Sequence, residues 1–173
     1  MRKSLTIVSS VITAALTAII ILFCSTPSRG DSAADPIKDA IQSEVHAADL
    51  AIDKGDSNGA IAFFAPNYAA YDAKGKVLVP DKATGLAGIK ALLQQVKQIS
   101  SATTITSIKL TGSQAQTQSS GTLVMHVQNQ GTGKFSTVTE IGVTTDLWVR
   151  TPSGIWLDQR STQVSASQTT TGQ

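Results

Sequence analysis

The sequence predicts an α+β domain in which three N-terminal helices pack on one face of a strongly curved antiparallel sheet. Apolar residues recur at helical spacing in two stretches of the first hundred residues. From Thr103 onward the texture changes to threonine, valine and isoleucine, broken by glycines at Gly112, Gly131, Gly133 and Gly154. Helices ahead of a run of long strands form the pattern in which a sheet wraps helices placed on one side.

The first element is not part of that fold. Arg2 and Lys3 precede an uncharged stretch from Leu5 to Phe23, followed by small residues at Ser32, Ala33 and Ala34. A basic start, an apolar run and small residues before a cut are what a secretory signal peptide needs, so residues 1–34 are expected to direct export, with cleavage after Ala34. The run approaches the roughly 20 residues that span a bilayer, which leaves an uncleaved membrane anchor as the alternative. Cys24 would leave with the signal, and a domain without cysteine can hold neither disulfides nor thiolate metal sites.

Setting aside Arg2, Lys3, Arg29 and Asp31, the remaining charges are eleven basic and eleven acidic. No basic stripe is available to neutralise phosphates, so nucleic acid is not an expected partner.

Asp35-Pro36 reads as a cap followed by proline at the first helical position. Ile37, Ile41, Val45, Ala48 and Ile52 then mark one helical face, and Gly55 ends it. Asp56 can cap a second short helix through "SNGAIAFFA", with Ile61 and Phe64 inward and Pro66 as its stop. "NYAAYDAKGKVLV" reads as a strand, a turn at Asp72–Gly75 and a short strand closed by Pro80. Leu86, Ile89, Leu92, Leu93, Val96 and Ile99 have the spacing of a third helix. Four strands are expected near 103–111, 114–129, 135–151 and 155–165, and the tail 166–173 has nothing to bury and is expected to be disordered. One domain, 35–165, results.

The order helix, "KGD" step, "FFAPNYAAYDAKGK", amphipathic helix and long strands ending "TTDLWVRTPSGIWLDQRSTQV" resembles the SnoaL-like branch of the nuclear transport factor 2-like superfamily, over roughly Ile37 to Val164. That resemblance implies a cone whose sheet wraps the helices and leaves a pocket at the open end. The superfamily includes ketosteroid isomerases, polyketide cyclases, dehydratases and epoxide hydrolases, and also binding or dimerisation modules without chemistry. It therefore implies a pocket and not a reaction.

Alternate residues of a strand share a face. Thr139, Ile141, Val143, Thr145, Leu147 and Val149 form the more apolar face of their strand, expected against the helices, while Glu140 and Asp146 are expected outside, Asp146 paired across strands with Arg160. A bulge at Gly142 would instead bring Asp146, beside Trp148, to the pocket mouth.

Acid–base chemistry in such a cone needs a base raised in pKa by apolar walls and a hydroxyl donor for developing oxyanion charge. Asp146 is the candidate base, ahead of Asp158, His126 and His46, and Tyr68 or Tyr71 the candidate donor. Trp148, His126 and Phe64 are the expected ligand contacts. Two histidines without spaced acidic partners exclude a metal centre, and no cofactor motif occurs.

The expectation is an exported domain that binds a small apolar or amphipathic molecule without cofactor. The alternatives are an isomerase, cyclase or lyase of the same fold and a homodimeric interaction module. Any membrane contact would come through the N-terminal segment.

Overall fold

The computed structural model describes residues 34–128 and 133–172. The expected signal peptide lies outside those residues apart from Ala34, where the first helix begins. Among the described residues no helix is long and apolar enough to cross a membrane.

Helix α1 spans Ala34–Asp53. Its predicted stripe is the buried one: Ile41, Val45, Ala48 and Ile52 are in the core, with Ile37 packed at its margin. The helix ends in paired back-bonds, Gly55 N–H to Ile52 O (2.9 Å) and Asp56 N–H to Ala51 O (2.8 Å), with Gly55 at φ 74°. A left-handed residue there lets the chain turn back on the last carbonyls, which is why glycine stands at this position.

The predicted second helix is a single 3-10 turn, Gly59–Ile61, so the described residues hold two α-helices and not three. Asp56 does cap it, accepting from Asn58 N–H and Gly59 N–H at 3.0 Å each. The helix does not propagate because Phe63 and Phe64 are needed in the core: strand β1, Phe64–Tyr71, starts at once. Pro66 falls where the β1 register breaks between Phe64 and Ala69, the kind of site that tolerates a missing ladder N–H. The Asp72 turn and β2, Val77–Val79, follow as expected.

Helix α2, Lys82–Gln95, is capped by Asp81, whose carboxylate accepts from Thr84 N–H at 2.7 Å. It stops before Val96. Val96 and Ile99, read as helical from their spacing of three, belong to β3, Val96–Thr111. A bulge between Val96 and Gln98 adds one residue to the strand, and a period of two plus one extra residue imitates a helical step.

Strands β4 (Gln114–Gln128), β5 (Phe135–Arg150) and β6 (Trp156–Thr171) complete one six-stranded sheet in the order β2-β1-β6-β5-β4-β3. The four long strands pair antiparallel in chain order, as expected, but β1 runs parallel to β6, so the whole sheet is mixed and not antiparallel throughout. Residues 166–171, read as a tail from their polarity, continue β6 against β5, with Ser167 opposite Ile141 and Thr171 opposite Thr137. Backbone pairing, with the Ser167 hydroxyl on Ile141 O (3.4 Å), holds a polar segment without burying it in the core.

β3 is an edge strand, and exposed strand edges invite pairing with other chains. α1 covers this one with polar side chains. Gln42 accepts from Ile105 N–H (2.6 Å) and donates to Thr103 O (2.8 Å), and Asp53 accepts from Ser101 N–H (2.7 Å).

Candidate functional site

The helices lie against the face the sequence reading had assigned to the outside. On β5 the buried residues are Val138, Glu140, Gly142, Thr144, Asp146 and Trp148, whereas Ile141, on the more apolar face, is 50% exposed. No bulge in β5 brings this about: β4 and β5 pair without a break from Gln114 to Gln128, and the irregularity beside Gly142 in the β5–β6 pairing places its extra residue, Val164, on β6. Counting apolar residues failed because the inner face carries its own compensation: Thr117 and Ser119 of β4, Thr144 of β5 and Ser161 of β6 surround the carboxylate with hydroxyls.

Asp146 accepts from Ser119 Oγ (2.9 Å), Thr144 Oγ1 (3.1 Å), more distantly Thr117 Oγ1 (3.5 Å), and Ser161 Oγ. Its cross-strand neighbour is Ser161, and Arg160 stands opposite Leu147, so the expected Asp146–Arg160 pair does not form. Burial pushes the Asp146 pKa up to about 7 even though all four hydroxyls pull it down. Asp158 stands opposite Trp148, one ladder step from Asp146 on the same face. Burial holds its pKa well above the carboxylate range, and the charge of Asp146 adds to the shift.

Tyr68 reaches the same interior from β1. Its hydroxyl is fully buried and makes no hydrogen bond of ordinary geometry among the described residues, with the Ser161 hydroxyl as its polar neighbour. Burial raises its pKa well above the usual phenol value, Asp158 and Asp146 raise it further, and Ser161 pulls the other way. The wall is aromatic. Phe64 stacks on Tyr68 at 3.8 Å, Trp148 stacks on Phe63 at 5.4 Å, and the Trp148 ring N–H donates to Thr117 Oγ1 at 2.9 Å.

Of the residues singled out from sequence, the structure thus gathers Asp146, Asp158, Tyr68, Trp148 and Phe64. Tyr71 and His126 are on the other side of the sheet: Tyr71 lies beneath the Arg160 guanidinium (4.6 Å), and His126 meets Thr137 at 3.3 Å. His46 is exposed on α1.

Two acids complete the interior. Glu140 is 6% exposed with one carboxylate oxygen unpartnered, and burial raises its pKa to about 7. Asp49 of α1 accepts from Ser101 and Thr103 hydroxyls (2.5 and 2.9 Å) while its second oxygen is buried without partner, and burial raises its pKa. Sequence reasoning passed over Asp49, yet a signal existed: it falls four residues after Val45 and three before Ile52, an acid inside an apolar stripe. Among the described residues no acid, histidine or cysteine cluster is arranged to hold a metal ion.

The architecture has known counterparts, and a family model for the SnoaL-like domain matches residues 36–161. The chain belongs to the SnoaL-like family. Among solved structures, this SnoaL-like domain resembles a conserved protein from Planctomyces limnophilus (17% identity, 79% of this chain and 98% of that one, TM-score 0.62). It also resembles a proposed dehydratase of the NTF2-like family from Streptomyces avermitilis (17%, 76% and 96%, TM-score 0.56). A third is a ketosteroid isomerase-like protein from Erwinia carotovora atroseptica (15%, 74% and 96%, TM-score 0.52). At these identities the likeness is one of fold. No curated protein matches the SnoaL-like chain in sequence.

Proposed function

We propose that this SnoaL-like domain is an exported binder of a small apolar or amphipathic molecule that presents a hydrogen-bond acceptor to Tyr68. The basic, apolar and small-residue order of residues 1–34 supports export. The observation that carries the binding reading is the fully buried, unpartnered Tyr68 hydroxyl in an aromatic-walled interior. An unpartnered buried polar group costs about 1–3 kcal/mol, and an acceptor brought by a ligand would remove that cost. Asp146 suits a supporting role because hydroxyl donors already occupy both of its oxygens.

The test uses a graded set of cyclic ketones, with binding followed by tryptophan fluorescence because Trp148 forms part of the wall. Saturable binding is expected, weakened about tenfold in Tyr68→Phe, the worth of one hydrogen bond. The variant loses only an unpartnered hydroxyl, so its folding should be undisturbed. Equal affinity in wild type and Tyr68→Phe would sink the reading.

A second reading is a cofactor-independent isomerase, cyclase or lyase with Asp146 as base and Tyr68 as donor. It is favoured by the convergence of Asp146, Asp158 and Tyr68, with the Asp146 pKa near 7, where a general base is effective. Exchange of ketone α-hydrogens in heavy water, read by NMR, addresses it without knowledge of the substrate. Acceleration by wild type and none by Asp146→Asn is the expected pattern of an enzyme, and exchange at the same rate in both removes that mechanism.

A further inference from the structure

The face of the sheet turned away from the helices carries a second, chemically different site. Strands β3 to β6 contain three acids, Glu140, Asp146 and Asp158, and all three are buried on the inner face. No acidic side chain of these four strands therefore faces outward. Register places Lys109, Gln116, Leu147 and Arg160 in one row across the outer face, with Thr111 and Gln114 on one flank and Thr145 and Thr162 on the other.

A groove of about 500 Å³ lies over this grid, lined by Thr111, Gln114, Gln116, Thr145, Leu147, Arg160 and Thr162. Asp146 also borders it, but its fully buried carboxylate belongs to the inner cluster. A smaller depression of about 230 Å³ shares Gln116 and Thr145 with the groove and extends it to Lys109. The combined size suits a small-molecule ligand.

The lining defines the chemistry. Arg160 is exposed, and its guanidinium rests on the Tyr71 ring at 4.6 Å, which limits its conformations while leaving the edge N–H groups available. Asp72, which follows Tyr71, is engaged by the backbone N–H groups of Lys74 and Lys76 in its own turn. Gln114 and Gln116 offer amides that both donate and accept, the threonines offer hydroxyls, and Leu147 gives an apolar floor. Lys109 stands three strand spacings from Arg160, about 14 Å, at the far end of the row.

We propose that this outer groove is a binding site for a carboxylate carried on a hydroxyl-rich scaffold, the chemistry of an acidic sugar. Arg160 pairs with the carboxylate, the glutamines and threonines take the hydroxyls, and Leu147 underlies the ring carbons. The site is independent of the interior centred on Tyr68.

The test is NMR titration of the full chain with glucuronate, with glucose as the neutral match. Glucuronate is expected to shift the Gln114 and Gln116 side-chain amides and the Arg160 Nε–H saturably, with a dissociation constant on the order of 1 mM. Arg160→Gln should weaken binding tenfold or more, Lys109→Gln about two- to threefold, and added salt should weaken it as well. Both positions are exposed, so both variants should fold. Absence of a saturable shift, an equal response to glucose, unchanged affinity in Arg160→Gln, or protection of these side chains inside a dimer in solution would each overturn the proposal.

Discussion

Replacing Glu140 by glutamine should stabilise the domain above neutral pH and leave it nearly unchanged in acid. The carboxyl is buried with one oxygen unpartnered, and its pKa stands at about 7 in place of 4.5. A raised pKa means that the folded state holds the proton more tightly than the unfolded one. The cost of ionising Glu140 is therefore absent below about pH 4.5, grows as pH rises toward 7 and is constant above that. The full shift corresponds to about 3 kcal/mol. Solvent screening removes part of this, so about 1–2 kcal/mol is the expected gain for Glu140→Gln at pH 8. Urea unfolding at pH 4 and pH 8 gives the two differences directly. A Glu140→Gln effect of the same size at both values would refute the reasoning, because a neutral glutamine and a protonated glutamate should differ only once the glutamate ionises.

The other predictions concern the helix clamp and the hydroxyl cage. Gln42→Ala strips partners from both Thr103 O and Ile105 N–H; it should cost about 1–2 kcal/mol in urea unfolding and speed amide exchange at Ile105, and an unchanged exchange rate would show that α1 does not seal the edge. Ser161→Ala removes one of the hydroxyls that lower the Asp146 pKa, so the carboxyl should titrate at higher pH than in wild type, as read by carboxyl carbon NMR; a downward shift would contradict the assigned role.

The sequence made much of the fold legible because its punctuation is local. Gly55 and Asp56 mark ends that depend on one or two hydrogen bonds, and they hold in the structure. What could not be read depended on partners distant in the chain. Whether "AFF" continues a helix or opens a strand is decided by Asp158, whose N–H bonds Phe63 O at 2.8 Å across most of the sequence. The burial of Asp146 follows from Ser119 on one neighbouring strand and Ser161 on another, and a count of apolar residues along β5 alone does not register either. Tyr68 and Tyr71 were separable in principle, since residues three apart in a strand face opposite ways, but which one entered the interior required the sheet order.

The junction at Val96 constrains how the interior could admit anything. The Val96 N–H closes the last turn of α2 on Leu92 O, and the same residue opens β3 opposite Val127. A helix welded to a strand without an intervening residue has no hinge, and α2 cannot swing without dragging a strand laced to β4 along its length. The corresponding passage from α1 to β1 is made instead by residues 54–63, which hold a left-handed glycine and a single 3-10 turn. Movement that opens the interior is therefore easier in that linker than at Val96, on the side where Phe63 stacks on Trp148 and Phe64 on Tyr68.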